Sequence, residues 1–293
     1  MSHKAGFVNI IGNPNVGKST LMNALVGEKL SIVTSKAQTT RQRVMGIVNG
    51  DDFQIIYSDT PGILKPNYKL QNTMVGVVQN ALSDADIVLY VTDMVETIDK
   101  NSEYLEKLAV IDVPVILAIN KVDLANQESV VEKVEQWKEI LPKAEIFVIS
   151  ALKNFNLEGF LNRIVELLPE NEAYFPKDEF TDRTERFFAS EIIREKIFLN
   201  YKQEIPYSSH VIIETFKDSE KILKIQAVII IERDSQKGIV IGNKGEALKK
   251  TATASRLEME KFFGKKVFLE VFVKVEKDWR ENDRILRSLG YQS

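Results

Sequence analysis

The chain has 293 residues, 44% hydrophobic and 28% charged, with no cysteine and two histidines, His3 and His210. That composition is ordinary for a globular protein and long enough for two cores, since domains cluster around 100–150 residues; it excludes disulfides, thiolate chemistry and cysteine- or histidine-rich zinc sites, so any metal is expected on oxygen ligands. The net charge of −3 conceals an asymmetry: residues 1–180 hold 17 Lys+Arg against 24 Asp+Glu, whereas residues 181–293 hold 22 against 18, which implies different partners for the two halves.

No apolar run reaches the roughly 18 residues of a membrane-spanning helix, and Met1-Ser2-His3-Lys4-Ala5 opens no signal-peptide hydrophobic region, so a cytoplasmic location is expected. Along the first 168 residues, Val- and Ile-rich runs at Phe7–Ile11, Phe53–Tyr57, Ile87–Thr92, Val115–Ile119 and Ile146–Ile149 predict buried strands, with a further one near Val44–Val48. Helical patterns fall between them, as at Ser129–Ile140, so the order is that of βαβ units around a parallel sheet. Residues 170–181 are polar, proline-punctuated and aperiodic, and read as a linker. A different order follows: a helix around Arg183–Phe198, strands at Ser209–Thr215 and Ile222–Glu232, a helix pair broken near 242–245, and a strand at Val267–Val275. This predicts a separate α+β domain over 182–293.

Gly12-Asn13-Pro14-Asn15-Val16-Gly17-Lys18-Ser19 satisfies G-x-x-x-x-G-K-[ST] directly after a predicted strand and before the helix-forming Thr20–Val26. Glycines let the backbone wrap phosphate oxygens, amides and the helix N-terminus supply positive potential, Lys18 reaches the β and γ phosphates, and Ser19 offers its hydroxyl to Mg²⁺. Asp59-Thr60-Pro61-Gly62 ends the second predicted strand, 41 residues after Lys18, where Asp59 can reach the magnesium site and the Gly62 N–H a γ-phosphate. Asn120-Lys121-Val122-Asp123 chooses the base: a carboxylate at Asp123 pairs with the guanine N1–H and N2–H₂, donors that adenine lacks at that edge. Ser150-Ala151-Leu152, after the last strand, offers backbone N–H to guanine O6.

These four motifs resemble the small GTPases of the translation-factor-related class. The resemblance implies that Thr40 is the switch threonine closing over magnesium and γ-phosphate, with Thr39 as the competing choice, and that Lys18, Thr40, Asp59 and Gly62 carry GTP hydrolysis while Ser19, Thr40 and Asp59 hold the metal. Ras-like proteins place a glutamine after the D-x-x-G glycine; here Ile63 stands there and cannot orient water, so slow intrinsic hydrolysis is expected. Asn15 matches the loop asparagine that in related GTPases helps hold a potassium ion, and a turn-forming asparagine is the alternative reading.

In the second domain, Ile241-Gly242-Asn243-Lys244-Gly245 places a G-x-x-G before a basic helix bearing Lys249, Lys250 and Arg256; residues 237–266 carry eight basic residues against three acidic. In KH domains such a loop clamps a nucleic-acid backbone. The combination resembles the Era-like GTPases over nearly the whole chain, including Val271-Phe272-Val273-Lys274-Val275, Trp279 and Leu286–Tyr291, though Thr251-Ala252 stands where an apolar residue and glycine are expected. The resemblance implies an α/β P-loop GTPase domain (1–169) with a mixed, mostly parallel sheet, followed by a smaller type II-like KH domain. It further implies GTP/GDP and Mg²⁺ as cofactors, a mostly monomeric state, binding of 16S ribosomal RNA near its 3′ end, and a part in assembling the 30S subunit. Two other classes remain: a GTPase whose basic patch contacts anionic lipid at the inner face of the cell membrane, and an RNA-binding module with a vestigial nucleotide fold. The absence of a lipidation motif weighs against the first, and the intact Lys18, Ser19, Asp59 and Asp123 against the second.

Overall fold

The computed structural model describes residues 3–97 and 102–291. The chain divides into two compact units: Met1–Ser31, Thr40–Lys65 and Met74–Asp182 form one, and Ile32–Thr39, Pro66–Thr73 and Arg183–Ser293 form the other.

The first unit is built on a six-stranded sheet of β1 (Lys4–Gly12), β2 (Val44–Asn49), β3 (Phe53–Asp59), β4 (Ile87–Asp93), β5 (Val115–Asn120) and β6 (Glu145–Val148), in the order β2-β3-β1-β4-β5-β6. Only β2 runs antiparallel to its neighbour. The central strands are apolar on both faces because helices cover both, which is why they read as continuous runs rather than as alternation. Helices α1 (Lys18–Val26), α2 (Lys69–Ser83), α3 (Ser102–Val110), α4 (Gln127–Ile140) and α5 (Leu157–Leu167) alternate with the strands. On one face, Val78, Tyr104, Leu108, Trp137 and Leu141 pack on Ile11, Val88, Tyr90, Leu117 and Ile119.

The register positions the site. Ile10 lies beside Asp59, Gly12 beside Val91, and Asp93 beside Asn120, so the carboxyl ends of four adjacent strands bring their terminal residues to one edge, where open α/β sheets bind ligands.

Residues 170–181 do not run free. The Ile47 N–H donates to Phe180 O at 2.9 Å, Thr181 Oγ1 donates to Met45 O at 2.7 Å, and the fully buried Gln54 side chain bonds the backbone of Tyr174 and Phe175. The segment covers the open edge of β2, occupying main-chain groups that a bare edge strand would leave unpaired. Most of this bonding uses the backbone of the segment and leaves no periodic trace in the sequence.

In the second unit, α6 (Glu185–Asn200), α7 (Ile205–Ser208), β7 (His210–Asp218), β8 (Ile222–Ile231), α8 (Asp234–Ile241), α9 (Glu246–Phe263), β9 (Lys266–Val275) and α10 (Asp283–Ser288) follow in order. The sheet β7-β8-β9 pairs antiparallel, then parallel, as expected of the type II KH arrangement. Ile193, Ile197, Val240 and Met259 from the helices bury Ile225, Ala227, Ile229 and Val267 of the sheet. The polar Thr251 is accommodated at 1% exposure because its hydroxyl donates to Tyr201 Oη, which in turn donates to Val240 O, and accepts from Asn200 Nδ2. On the other sheet face Trp279, fully buried, donates from Nε1 to Ser208 O at 2.9 Å beside Val228, Ile230, Leu286 and Tyr291. Among the described residues no helix is long and apolar enough to cross a membrane.

Candidate active site

The phosphate loop runs from Gly12 to Lys18 between β1 and α1. Two of its glycines are required sterically: Gly12 has φ +147° and a Cβ there would lie 2.1 Å from Val91 O, while Gly17 has φ +98° and a Cβ would lie 2.3 Å from Asn120 Nδ2. Asn15 also adopts a left-handed conformation, φ 67°. Lys18 is 6% exposed; its Nζ donates to Gly12 O at 3.0 Å and to Asn13 O at 2.7 Å, which folds the side chain back over the loop. Burial lowers its pKa to about 8, against the opposing pull of Asp59 and Glu96.

Ser19, Thr40 and Asp59 meet. Ser19 Oγ donates to Asp59 Oδ2 at 2.6 Å, Thr40 Oγ1 donates to the same oxygen at 3.1 Å, and the two hydroxyls are 3.0 Å apart. Asp59 is fully buried, and burial drives its pKa up while the Ser19 hydroxyl and the Lys18 ammonium pull it down. Its Oδ1 is buried with no hydrogen-bond partner among the described residues, although the Ser31 hydroxyl stands close enough to lower the pKa. One carboxylate with an unused oxygen and two hydroxyls form a set suited to Mg²⁺, which binds through one or two carboxylates together with substrate phosphates. No cluster of three or more acidic or histidine residues competes with it among the described residues. Of the two threonines it is Thr40 that stands with Ser19 and Asp59; the Thr39 hydroxyl donates instead to Lys36 O at 2.7 Å and lies 2.6 Å from Thr34 Oγ1.

Thr60 Oγ1 donates to Ile10 O at 2.7 Å, propping the turn after β3. At Gly62 a Cβ would lie 2.7 Å from Pro14 N, so this turn touches the phosphate loop. Ile63 is 4% exposed and belongs to the core with Val78 and Tyr90.

The base pocket is tied to the same loop. Asn120 Nδ2 donates to Val16 O at 2.9 Å and its Oδ1 accepts from Ala151 N at 3.0 Å; Lys121 Nζ donates to Asn15 O at 2.6 Å. Ser150 Oγ donates to Asp123 Oδ1 at 2.6 Å, orienting an exposed carboxylate, and Leu152 is 74% exposed at the rim. Val16 is buried, and Thr20 lies partly buried on α1 beside Ser19.

Two residues outside the four motifs complete the arrangement. Asp93, 5% exposed at the end of β4, pairs with Lys121 Nζ at 2.6 Å through Oδ2 and accepts the N–H groups of Val95 and Glu96 through Oδ1. Glu96 then accepts from Asn13 Nδ2 and from Thr92 Oγ1. The turn 93–96 thus holds the phosphate loop directly at Asn13 and, through Lys121, at Asn15. A polar residue ending an apolar strand, as Asp59 and Asn120 do, was the available signal for Asp93.

In the second unit, Gly242 (φ +74°) approaches α9 so closely that a Cβ would lie 2.6 Å from the Ala247 side chain, and Lys244 and Gly245 both take positive φ. Asn243 and Lys244 project exposed from this turn, with Ile241 partly buried behind it and Lys249 and Lys250 exposed on the next turns of α9. Those lysines have no carboxylate partner among the described residues. Arg256 differs: it pairs with Glu260 at 2.9 Å and stands 11 residues along α9 from Gly245, about 16 Å at helical rise, so it is not gathered into the turn.

The phosphate loop, metal triad and base pocket on a mostly parallel sheet, followed by αββααβ with a G-x-x-G turn, define a P-loop GTPase joined to a KH domain. Family models agree: residues 7–121 match a family described as 50S ribosome-binding GTPase, and residues 204–280 match the KH domain. The chain is 46% identical over 291 residues to GTPase Era of Clostridium kluyveri, covering 99% of each, and 43% identical to that of Staphylococcus haemolyticus, covering 99% of this chain and 97% of the relative. Among solved structures, an Era complex with MgGDPNP and nucleotides 1506–1542 of 16S ribosomal RNA superposes with TM-score 0.95 at 39% identity, and a variant of Aquifex aeolicus Era bound to GDP and AlF₄⁻ with 0.94 at 39%; each covers 99% of this chain and all of that one. The chain belongs to the Era family of GTPases and is a GTP-hydrolysing enzyme.

Proposed function

We propose that this protein is a GTP-driven switch whose KH domain binds small-subunit ribosomal RNA during assembly of the 30S subunit. The observation that carries the nucleotide half is the meeting of Ser19, Thr40 and the orphaned Asp59 oxygen in front of Lys18. The RNA half is supported by the free lysines around Gly242–Gly245 and by the 16S fragment held by a relative of the same fold. That fragment favours the small subunit over the large one named in the GTPase family's description.

Lys18 and the loop amides bind the β and γ phosphates, Asp123 and Asn120 select guanine, and the Gly62 N–H meets the γ-phosphate. Ser19, Thr40 and Asp59 would hold Mg²⁺, which when bound neutralises charge on the phosphate oxygens. Because Ile63 is in the core, the attacking water is left to backbone groups, another residue or a partner, and Asn15, whose left-handed backbone turns the loop there, would help hold a potassium ion supplying positive charge in place of an arginine finger. With GTP bound, Thr40 would close over the metal and the γ-phosphate, and loss of that phosphate on hydrolysis would release its segment and alter RNA binding. The protein acts in the cytoplasm as a monomer.

The test replaces Asn243 and Lys244 together by Asp, which sets two carboxylates where RNA phosphates must approach. Affinity for a single-stranded 16S 3′-end RNA should fall at least tenfold with GTP hydrolysis intact, and Lys249→Ala or Lys250→Ala should each flatten the salt dependence by about 0.7. Unchanged RNA affinity, with binding to anionic vesicles lost instead, would transfer the basic patch to lipid.

A further inference from the structure

We propose that Arg194, on α6 and outside every nucleotide-binding motif, is a positioning residue for GTP hydrolysis that sets the place of Thr40 by holding the carbonyl of the residue before it. This rests on the reading of Thr40 as the switch threonine.

Residues Ile32–Thr39 belong to the same compact unit as Arg183–Ser293. Arg194 is 2% exposed. Its guanidinium is held by Glu191, with Nε to Oε1 at 2.7 Å and Nη2 to Oε2 at 2.6 Å, and lies over the Phe198 ring. Nη2 also donates to Thr39 O. A buried Arg–Glu pair on one helix face is expensive to maintain and could be replaced by apolar packing. What apolar packing could not supply is a fixed, charged donor for a loop carbonyl.

Three further contacts fix the same segment. Lys36 Nζ donates to Phe198 O and to Tyr201 O, the latter at 2.5 Å, carrying a cation to the carbonyl end of α6 where the helix dipole favours it. Gln38 takes φ 60°, a left-handed conformation costly for a residue with a side chain, and its Oε1 accepts from Tyr68 Oη at 2.6 Å. Tyr68 belongs to the second loop segment of that unit, Pro66–Thr73, and its ring lies 4.6 Å from the Arg280 guanidinium. The bend at Gln38 directs the Thr39 carbonyl to Arg194, and the next side chain, Thr40, reaches Ser19 and Asp59. Arg194 therefore acts on Thr40 through a single peptide unit.

The test uses the full-length protein with Arg194→Met, Glu191→Gln and, as a reference, Thr40→Ala. GDP makes no use of Thr40, so GDP affinity should stay within about twofold of the parent in Arg194→Met. The kcat for GTP should fall about tenfold, the worth of one charge-assisted hydrogen bond, and half-maximal hydrolysis should need more Mg²⁺. Glu191→Gln, which loosens the guanidinium without removing it, should give a smaller loss in the same direction and decides the matter if Arg194→Met does not fold. Parental kcat in either folded Arg194→Met or Glu191→Gln, while Thr40→Ala is crippled, overturns the proposal. Equal loss of GDP and GTP binding also overturns it, because Arg194 would then serve only the fold. Parental hydrolysis in Thr40→Ala would instead overturn the assignment of the switch threonine.

Discussion

Replacing Asp93 by Asn tests whether the turn after β4 is part of the nucleotide site. The amide keeps an oxygen for the Val95 and Glu96 N–H groups, at 2.9 and 2.8 Å, but puts an N–H₂ or a neutral oxygen against the Lys121 ammonium now held at 2.6 Å. Removing one partner of a fully buried pair costs about 3–5 kcal/mol, whereas an exposed pair is worth about 0–1 kcal/mol. The Asp93 side chain is 6% exposed but that of Lys121 is 32%, so the lysine can recover part of its hydration, and a stability loss of about 2 kcal/mol lies between those limits. Lys121 also braces the phosphate loop through Asn15 O, so nucleotide binding should suffer as well. GDP and GTP should weaken equally, by about tenfold, since no γ-phosphate contact is touched. Fluorescent-nucleotide titrations beside urea unfolding measure both quantities. A destabilised protein that binds GDP within twofold of the parent would show that the pair serves the fold alone, and selective loss of GTP would contradict the bracing role.

Asp123→Asn should shift preference from GTP towards xanthosine triphosphate, because an amide can donate to the carbonyl at xanthine position 2; a binding competition still won by GTP would remove the guanine assignment. Lys18 supplies a pH test. Its folded pKa of about 8 lies below its ordinary 10.5, so in nucleotide-free protein the cation is lost as pH rises through 8, and GTP affinity should fall by up to about tenfold per unit above that. Between pH 8 and 10.5 the unfolded chain holds the proton that the folded one has released, so nucleotide-free stability should gain from this group as pH rises in that window. Lys18→Met should abolish both trends, and a flat GTP affinity from pH 7 to 9 in the parent would refute the buried-cation reading.

The nucleotide site was legible because phosphate, magnesium and guanine recognition each need particular residue types at strand ends, and local spacing carries that information: Gly12 to Ser19, Asp59 to Gly62, and Asn120 to Asp123 stand in the structure where the motifs placed them. The division into α/β and α+β halves was equally readable, since the order of apolar runs survives without knowledge of any contact. Thr39 and Thr40 could not be separated by pattern, because two adjacent hydroxyls differ only in which way the backbone turns; in the structure, after the left-handed Gln38, Thr39 bonds Lys36 O and Thr40 stands beside Ser19. Residues 170–181 look like a linker because most of their bonds to β2 use main-chain atoms that every sequence possesses. Asp93 and Arg194 belong to no motif; each acquires its role from a partner 28 or 155 residues away. Tertiary structure alone brings such pairs together, since burial makes a charge seek its partner across the fold rather than along the chain.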